Sequence, residues 1–388
     1  MSKIPYNAHY IDKNDEKHVV KTLNSKFLTQ GIRVLEFERM LCQNFKSKYS
    51  STFNSASSAL YVACRVMGLN KNDIVWTSAI TYAAGANCAL LCGAEVKFLD
   101  IDLKDYNISI DELEVECHKA KKKNKLPKVL IITDLAGEPC ELEKIDRLKK
   151  KYKFKIIIDA SHSIGSLYKN NPVGNNKYSD LTVFSFHPIK NITTAEGGAI
   201  MTNEKSIKIK IDLIKNNGIN KNPNNYVYKK NKIGWYYEQV MLGGNYRMND
   251  IQASLGISQL KKLSIFIKKR RLIAKKYVNS LKVLNQYIEL PKYDPKNICS
   301  YHLFIIRLRL PSLKLKNKLY KYFLKHDIIT SFHYIPLYRH PFFRKKKCKS
   351  LKNCEIYYKS ALSIPIFYAL SEKKQNKIIK LLKLFFIK

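Results

Sequence analysis

Acidic residues are scarce in this chain: 31 Asp and Glu stand against 70 Lys and Arg, a net charge of +39 over 388 residues. Arginine is scarce too, only 11 of those 70. Readout of base edges favours Arg, so a charge carried by 59 Lys, in a chain also rich in Ile and Asn, reads as an AT-rich coding bias and not as a nucleic-acid surface. The competing class is a basic nucleic-acid-binding or anionic-membrane protein. Its best support is the runs Lys121-Lys-Lys-Asn-Lys, Lys149-Lys-Lys-Tyr-Lys and Arg344-Lys-Lys-Lys. No helix-turn-helix or zinc motif accompanies them, so no specific nucleic-acid partner is expected. CxxC spacing is also missing among the nine cysteines, which excludes a zinc knuckle or redox pair and predicts reduced thiols and no metal. Cys88 and Cys92 share a small, apolar helical face suited to packing. The chain opens without an apolar targeting segment, and no apolar run approaches the ~20 residues of a membrane span. The expectation is a cytoplasmic chain with no membrane insertion.

What is present is a chain with globular composition, 45% hydrophobic and 26% charged, long enough for two or three units. From about residue 55 to 205, short apolar runs alternate with amphipathic stretches. Asp73-Ile-Val-Trp-Thr, Glu95-Val-Lys-Phe-Leu-Asp, Val129-Leu-Ile-Ile-Thr, Ile156-Ile-Ile-Asp, Val183-Phe-Ser-Phe and Ala199-Ile-Met-Thr read as buried strands, with helices over 57–68, 82–93 and 142–152. This pattern predicts an α/β unit with a largely parallel sheet. Ligands then bind beyond the carboxyl ends of the strands, where Asp159 and Asp100 fall. Residues 216–235 form a polar, turn-rich segment too long for an ordinary connection, read as a lid or a subunit-contact loop. After Leu263 a Lys-rich helix leads to Tyr301-His-Leu-Phe-Ile-Ile-Arg-Leu-Arg-Leu, read as a strand. The predicted division is a large domain, 1–263 with its N-terminal segment, and a small α+β domain, 264–388. The last helix, Lys377-Ile-Ile-Lys-Leu-Leu-Lys-Leu-Phe-Phe, is amphipathic and is expected to pack on the small domain and not on a membrane.

The chemistry concentrates in Asp159-Ala-Ser-His-Ser-Ile-Gly and Phe184-Ser-Phe-His-Pro-Ile-Lys190-Asn-Ile-Thr-Thr-Ala-Glu-Gly-Gly. A lysine shortly after a buried strand loses its proton more easily than a solvated one and can attack a carbonyl. Asp159, at a strand end, can hold a cation in fixed orientation. Pyridoxal 5′-phosphate requires this pair: a lysine for its aldehyde and a carboxylate that keeps the pyridine nitrogen protonated. Alone, Lys190 is one lysine among 59 and Asp159 a strand-end cap. The third element is Asn54-Ser-Ala-Ser-Ser-Ala-Leu60, whose small residues at a helix start leave amides for a phosphate, although the same letters make an ordinary N-cap. Tyr82 follows the strand holding Trp76, where it can stack on a flat ring or pack in the core.

These residues resemble the DegT/DnrJ/EryC1/StrS family of sugar aminotransferases. The resemblance runs from Phe27-Leu-Thr-Gln-Gly through Phe184-Ser-Phe-His-Pro-Ile-Lys to Asn245-Tyr-Arg-Met-Asn-Asp-Ile-Gln-Ala. It implies the type I aspartate aminotransferase fold and pyridoxal 5′-phosphate as cofactor. By the same resemblance Lys190 is the lysine that bonds the cofactor and shuttles protons, Asp159 the partner of the pyridine nitrogen, and Tyr82 the stacking ring. His162 lies near the ring, Ala56 and Ser57 give amides to the phosphate, and Ser185 gives a hydroxyl. Asn245 reaches the neighbouring subunit's phosphate site, which implies a homodimer with shared active sites. Val75-Trp-Thr-Ser-Ala-Ile-Thr-Tyr, Asn87-Cys-Ala-Leu-Leu-Cys-Gly-Ala, Ala136-Gly-Glu-Pro-Cys and Ser331-Phe-His-Tyr-Ile-Pro-Leu-Tyr resemble members that aminate a UDP-linked 4-keto sugar with L-glutamate, another keto sugar being the alternative. Arg247, His333 and Tyr334 are candidate substrate residues by position. Asp134, Asn217 and Gly244 depart from the family's usual His, His and aromatic residue. Relatives with His in place of the lysine are dehydratases, and the presence of Lys190 argues against that activity.

Overall fold

The computed structural model describes residues 3–228, 233–344 and 348–387. The main sheet has seven strands: β1 (Tyr49–Phe53), β2 (Ile74–Ser78), β3 (Glu95–Leu99), β4 (Val129–Thr133), β5 (Lys155–Asp159), β6 (Leu181–Ser185) and β7 (Gly198–Thr202). Their spatial order is β1-β7-β6-β5-β4-β2-β3. From β3 across to β6 every pairing is parallel, whereas β7 is antiparallel to both β6 and β1. The sheet is therefore mixed and mostly parallel, as expected.

Parallel strands need long connections; helices supply those from β2 to β3, β3 to β4 and β4 to β5, whereas residues 160–180 join β5 to its parallel neighbour β6 through a short hairpin. In chain order the first nine helices are α1 (Lys13–Leu23), α2 (Ile32–Phe45), α3 (Ala56–Val66), α4 (Ala84–Leu91), α5 (Ile110–Lys122), α6 (Leu142–Tyr152), α7 (Lys205–Ile214), α8 (Asp250–Lys261) and α9 (Leu263–Leu281). Strand side chains alternate between two cores. Leu130, Ile132, Ile156 and Ile158 pack with Phe37, Leu41, Ile145 and Ile257 on one face. Val129, Ile131, Ile157 and Val183 pack with Leu60, Ala63, Cys88 and Ile211 on the other. Burial on both faces explains why these strands are unbroken apolar runs.

A further core surrounds a three-stranded antiparallel sheet of Ile288–Glu289, Phe304–Leu308 and Ala361–Ile364. Helix α9 spans both regions: Leu263, Phe266 and Ile267 join the first core, Ile273, Ala274, Tyr277 and Leu281 the second. Ile4 also belongs to the second core, through a parallel bridge to Ile328. The final helix, Glu372–Phe386, buries Ile378, Ile379, Leu381 and Leu382 there, which accounts for its amphipathic period. Among the described residues no helix is long and apolar enough to cross a membrane. The basic runs in α5 and α6 occupy the last turns of those helices, where cations complement the helix dipole. Most of the third run, 345–347, lies outside the described residues.

The two regions are joined by buried polar contacts. Asp100, just past β3, accepts the amides of Asn353 and Cys354 at 2.8 Å each, so it caps the helix Lys352–Ser360. Of the two strand-end acids singled out in the sequence, Asp100 is thus structural. Gly137 has φ +99, and a Cβ there would lie 2.4 Å from Ser300 Oγ, so this close approach requires glycine. Arg270, 2% exposed, donates to the carbonyls of Tyr301, His302 and Ile366 and to Asn7 Oδ1. Burial lowers its guanidinium to about 9.

Glu138 lies in the same seam. It is buried, with Oε1 accepting from Asn297 Nδ2 at 2.9 Å and Oε2 unpartnered. Burial pushes its carboxyl up to about 8, against the Asn297 hydrogen bond and with the nearby Asp105 charge adding to the rise. A folded-state pKa above the unfolded value means that the native state holds the proton longer. The contribution of Glu138 to stability is then complete below the ordinary value of 4.5 and declines as pH rises towards about 8. Glu138→Gln should flatten the loss of stability between pH 5 and 8 by about 1.4 kcal/mol per pH unit at most. Urea midpoints at several pH values measure this, and parallel slopes in both proteins would contradict it.

Candidate active site

The carboxyl ends of the parallel strands converge on one cavity of about 380 Å³. Thr133, Asp159 and Ser185, the last residues of β4, β5 and β6, lie on its wall. The sequence at each strand end supplies a small or charged polar residue because the chain leaves the apolar sheet at this point. The segment after β6 turns at Pro188 and brings Ile189 and Lys190 back over the strand ends, with Lys190 N–H donating to the His187 carbonyl at 2.9 Å.

Opposite them lies the start of α3. Ser55 is its N-cap and accepts the Ser58 amide at 3.1 Å. The amides of Ala56 and Ser57 belong to the first turn and have no intrahelical partner. A Cβ on Gly198 of β7 would sit 2.7 Å from Ala56 N and Cα, so glycine lets the helix start rest directly on the sheet. The result is an anion cradle at a helix N-terminus.

The electrostatics follow from burial. Lys190 is lowered to about 8 by desolvation, with the Asp159 charge pulling the other way. Asp159, 4% exposed, is raised by burial and restrained by the Ser161 hydrogen bond and by Lys190; Ser161 N–H donates to its Oδ1 at 3.1 Å. His162 bonds the Tyr334 hydroxyl through Nε2 at 3.0 Å, and burial, with Lys190 and His333 nearby, holds it well below the usual histidine range. His333 is lowered to about 3 by burial and Lys190. Its Nδ1 lies 2.9 Å from Ser363 Oγ. The imidazoles around Lys190 are therefore neutral. Tyr82 is 60% exposed at the rim, its ring centroid 6.0 Å from that of Tyr334.

Ala56, Ser57, Tyr82, Asp159, His162, Ser185, Lys190, His333 and Tyr334 thus share one cavity. Asn245 and Arg247 do not line it. Asn245 is exposed and bridges Asn216, while Arg247 donates to Asn216 Oδ1 at 2.6 Å and pairs its backbone with Phe53. Sequence reasoning missed Tyr6, Thr133, His187 and Glu196 in the lining. Thr133 and Glu196 were legible as strand-end and loop polar residues next to recognised motifs, but Tyr6 arrives only through the long-range pairing of Ile4 with Ile328. The three departures also have local explanations. Asp134 is buried, accepts Cys140 N–H at 2.9 Å and Ser163 Oγ–H at 2.7 Å, and is raised by burial to about 6. Asn217 holds φ 58, and the space beside Gly244 is filled by the Tyr246 ring. Among the described residues no group of His, Cys, Asp or Glu is placed to hold a metal ion.

Does the cavity suit pyridoxal phosphate? Its donor set matches: free helix amides and hydroxyls for a phosphate, a buried carboxylate for a ring nitrogen, and a lysine with lowered pKa for the aldehyde. Comparison with solved structures defines the class. Helicobacter pylori PseC, an aminotransferase involved in the biosynthesis of pseudoaminic acid, matches with a TM-score of 0.90 and 32% identity over 99% of each chain. Spr1654 from Streptococcus pneumoniae, solved in its PLP form as a candidate sugar aminotransferase, matches at 0.88 and 26% over 99% of this chain and 98% of its own. The fold is that of the pyridoxal phosphate-dependent aminotransferases. The DegT/DnrJ/EryC1/StrS aminotransferase family matches residues 9–383, and the chain belongs to it. Aminotransferases of this family depend on pyridoxal phosphate. The UDP-4-amino-4,6-dideoxy-N-acetyl-beta-L-altrosamine transaminases of Campylobacter jejuni and Helicobacter pylori are similar to it. The first is 37% identical over 97% of this chain and 96% of its own length, the second 34% over 99% and 98%.

Proposed function

We propose that this chain transfers the amino group of L-glutamate to the 4-keto carbon of a UDP-linked 6-deoxy-N-acetyl hexose, forming UDP-4-amino-4,6-dideoxy-N-acetyl-β-L-altrosamine in the pseudaminic acid pathway. The observation that carries it is the meeting of Lys190, Asp159 and the α3 N-terminus in one cavity, in a chain similar over nearly its whole length to transaminases of that name.

When bound, pyridoxal phosphate would supply an electron sink for the donor's Cα and a site of attachment for the amino group. The amides of Ala56 and Ser57 and the Ser185 hydroxyl hold the phosphate. Asp159 keeps a proton on the ring nitrogen. Lys190, lowered to about 8, is partly neutral near neutral pH, which suits both attack on a carbonyl and proton transfer. Tyr82 would cover the ring from the rim of the cavity, and His162 would stay neutral beside it. Arg247, His333 and Tyr334 are the candidate sugar-nucleotide contacts, of which His333 and Tyr334 are in place within one subunit.

A homodimer completes the reading. Asn245 is exposed, and so are the apolar side chains of Val227, Tyr228, Trp235 and Leu242 in the segment that precedes it, each at least 69% accessible, as an interface would require. Residues 229–232 of the contact segment lie outside the described residues. The division into a cofactor-binding part, 1–263, and a small part, 264–388, and a cytoplasmic location belong to the same proposal. The test is visible absorption of the purified protein with pyridoxal phosphate, followed by L-glutamate and a panel of UDP-4-keto sugars. Bound cofactor should colour the protein, glutamate should bleach it, and the altrosamine precursor should restore the colour fastest. Colour without bleaching by glutamate would refute the donor, and faster restoration by another sugar would refute the acceptor.

A further inference from the structure

His302 has no place in the scheme above, yet its setting is unusual. It is 1% exposed, and neither ring nitrogen has a hydrogen-bond partner. Its ring centroid lies 4.3 Å from that of His162, tilted by 37°. His162 likewise has an unpartnered Nδ1, while its Nε2 meets the Tyr334 hydroxyl. Three unpartnered imidazole nitrogens therefore lie together behind the wall of the cavity that Lys190 and Asp159 face. Stranding them costs desolvation with no compensating bond, and a phenylalanine would pack here more cheaply. The backbone does not explain the choice, because Arg270 and Asn7 reach the His302 carbonyl and not its ring.

We propose that His302 is a positioning residue of the transamination site: through the contact of its ring with that of His162, centroids 4.3 Å apart, it fixes the tilt of His162 and biases its tautomer beside the cofactor. This inference rests on the functional reading above, in which His162 adjoins the cofactor ring. With the ring held from behind, Nε2 keeps a single role towards Tyr334, and the His162–Tyr334 pair presents one arrangement to the cavity. Without it the ring is free to exchange tautomers or tilt.

The test compares His302→Phe, which keeps a stacked ring and removes both nitrogens, with His302→Gln, which restores a donor and an acceptor. In the holoenzyme, His302→Phe should lower kcat about 10- to 100-fold, as expected for a misplaced group at a reaction site. It should leave the KM for glutamate within about twofold and shift the visible absorption of the bound cofactor, and His302→Gln should recover part of both changes. A second readout needs no turnover: nitrogen chemical shifts of isotope-labelled histidines. His162 should show one tautomer in the wild type and a mixture in His302→Phe. Wild-type kcat, spectrum and tautomer in His302→Phe would overturn the proposal, as would equal losses in both variants with the His162 tautomer unchanged. A wild-type protein that binds no pyridoxal phosphate would instead overturn the functional reading, and the tautomer experiment would still decide the His162–His302 contact.

Discussion

Lys190→Ala is expected to reduce transamination by about 10⁴-fold or more while leaving the melting temperature nearly unchanged. The size follows from two losses at one position. The amine supplies a nucleophile, and the same amine moves a proton, a role worth about 10²- to 10⁴-fold by itself. No nearby group can replace it, because burial, the larger cause and one the substitution leaves in place, holds His162 and His333 below the range in which they would exchange protons. The fold should tolerate the change, since the lysine side chain makes no hydrogen bond or ion pair among the described residues and its removal relieves a desolvation cost. Turnover by a coupled glutamate assay, with circular dichroism on the same sample, separates the two effects. A variant that retains a tenth of wild-type activity would remove Lys190 from its proposed role.

Asp159→Asn is the second large effect. Asparagine fills the same volume and still accepts the Ser161 amide, so the change is nearly pure in charge. A buried charge pair broken on one side costs about 3–5 kcal/mol, equivalent to roughly 10²- to 5 × 10³-fold in rate when the loss falls on the transition state. Turnover at saturating pyridoxal phosphate should fall by that amount, and cofactor affinity should fall with it. Stability should hold or rise, because burial already lifts this carboxyl. Near-wild-type turnover would mean that the ring nitrogen has another partner.

These residues were legible because the relevant physics is local. Strands β4 to β7 announce themselves as mainly apolar, buried runs, and Asp159 ends one of them while Lys190 follows another at short distance. Strand β1 was not legible. Its sequence, Tyr-Ser-Ser-Thr-Phe, is polar, and it is buried only because Ser50 bonds the Glu38 carbonyl, Ser51 bonds Asp212 and Thr52 bonds the Glu38 carboxylate. Those partners lie 12 to 161 residues away, beyond any periodic signal. Tyr6 and His302 were hidden for the same reason: the first is brought in by the Ile4–Ile328 bridge, and the second reads as ordinary lead-in to a strand. Asp100 shows the converse error of local reading, since a strand-end acid looks the same whether it faces a ligand or caps a helix 253 residues on.

The seam between the two cores also bears on how substrates enter. Crossing bonds run from Asp100 to Asn353 and Cys354, from Ser300 Oγ to the His162 carbonyl and from the Leu337 amide to the Ala79 carbonyl, while α9 passes through both cores unbroken. A jaw that opens and shuts would have to break all of these at each turnover. Within one subunit the cavity is better described as an alcove, its lining, Tyr6, His333 and Tyr334 included, held in place by these bonds; on the proposed function, selection among keto sugars would rest on static fit to that lining. Turnover should then depend little on solvent viscosity, because no large-scale closure precedes the chemistry.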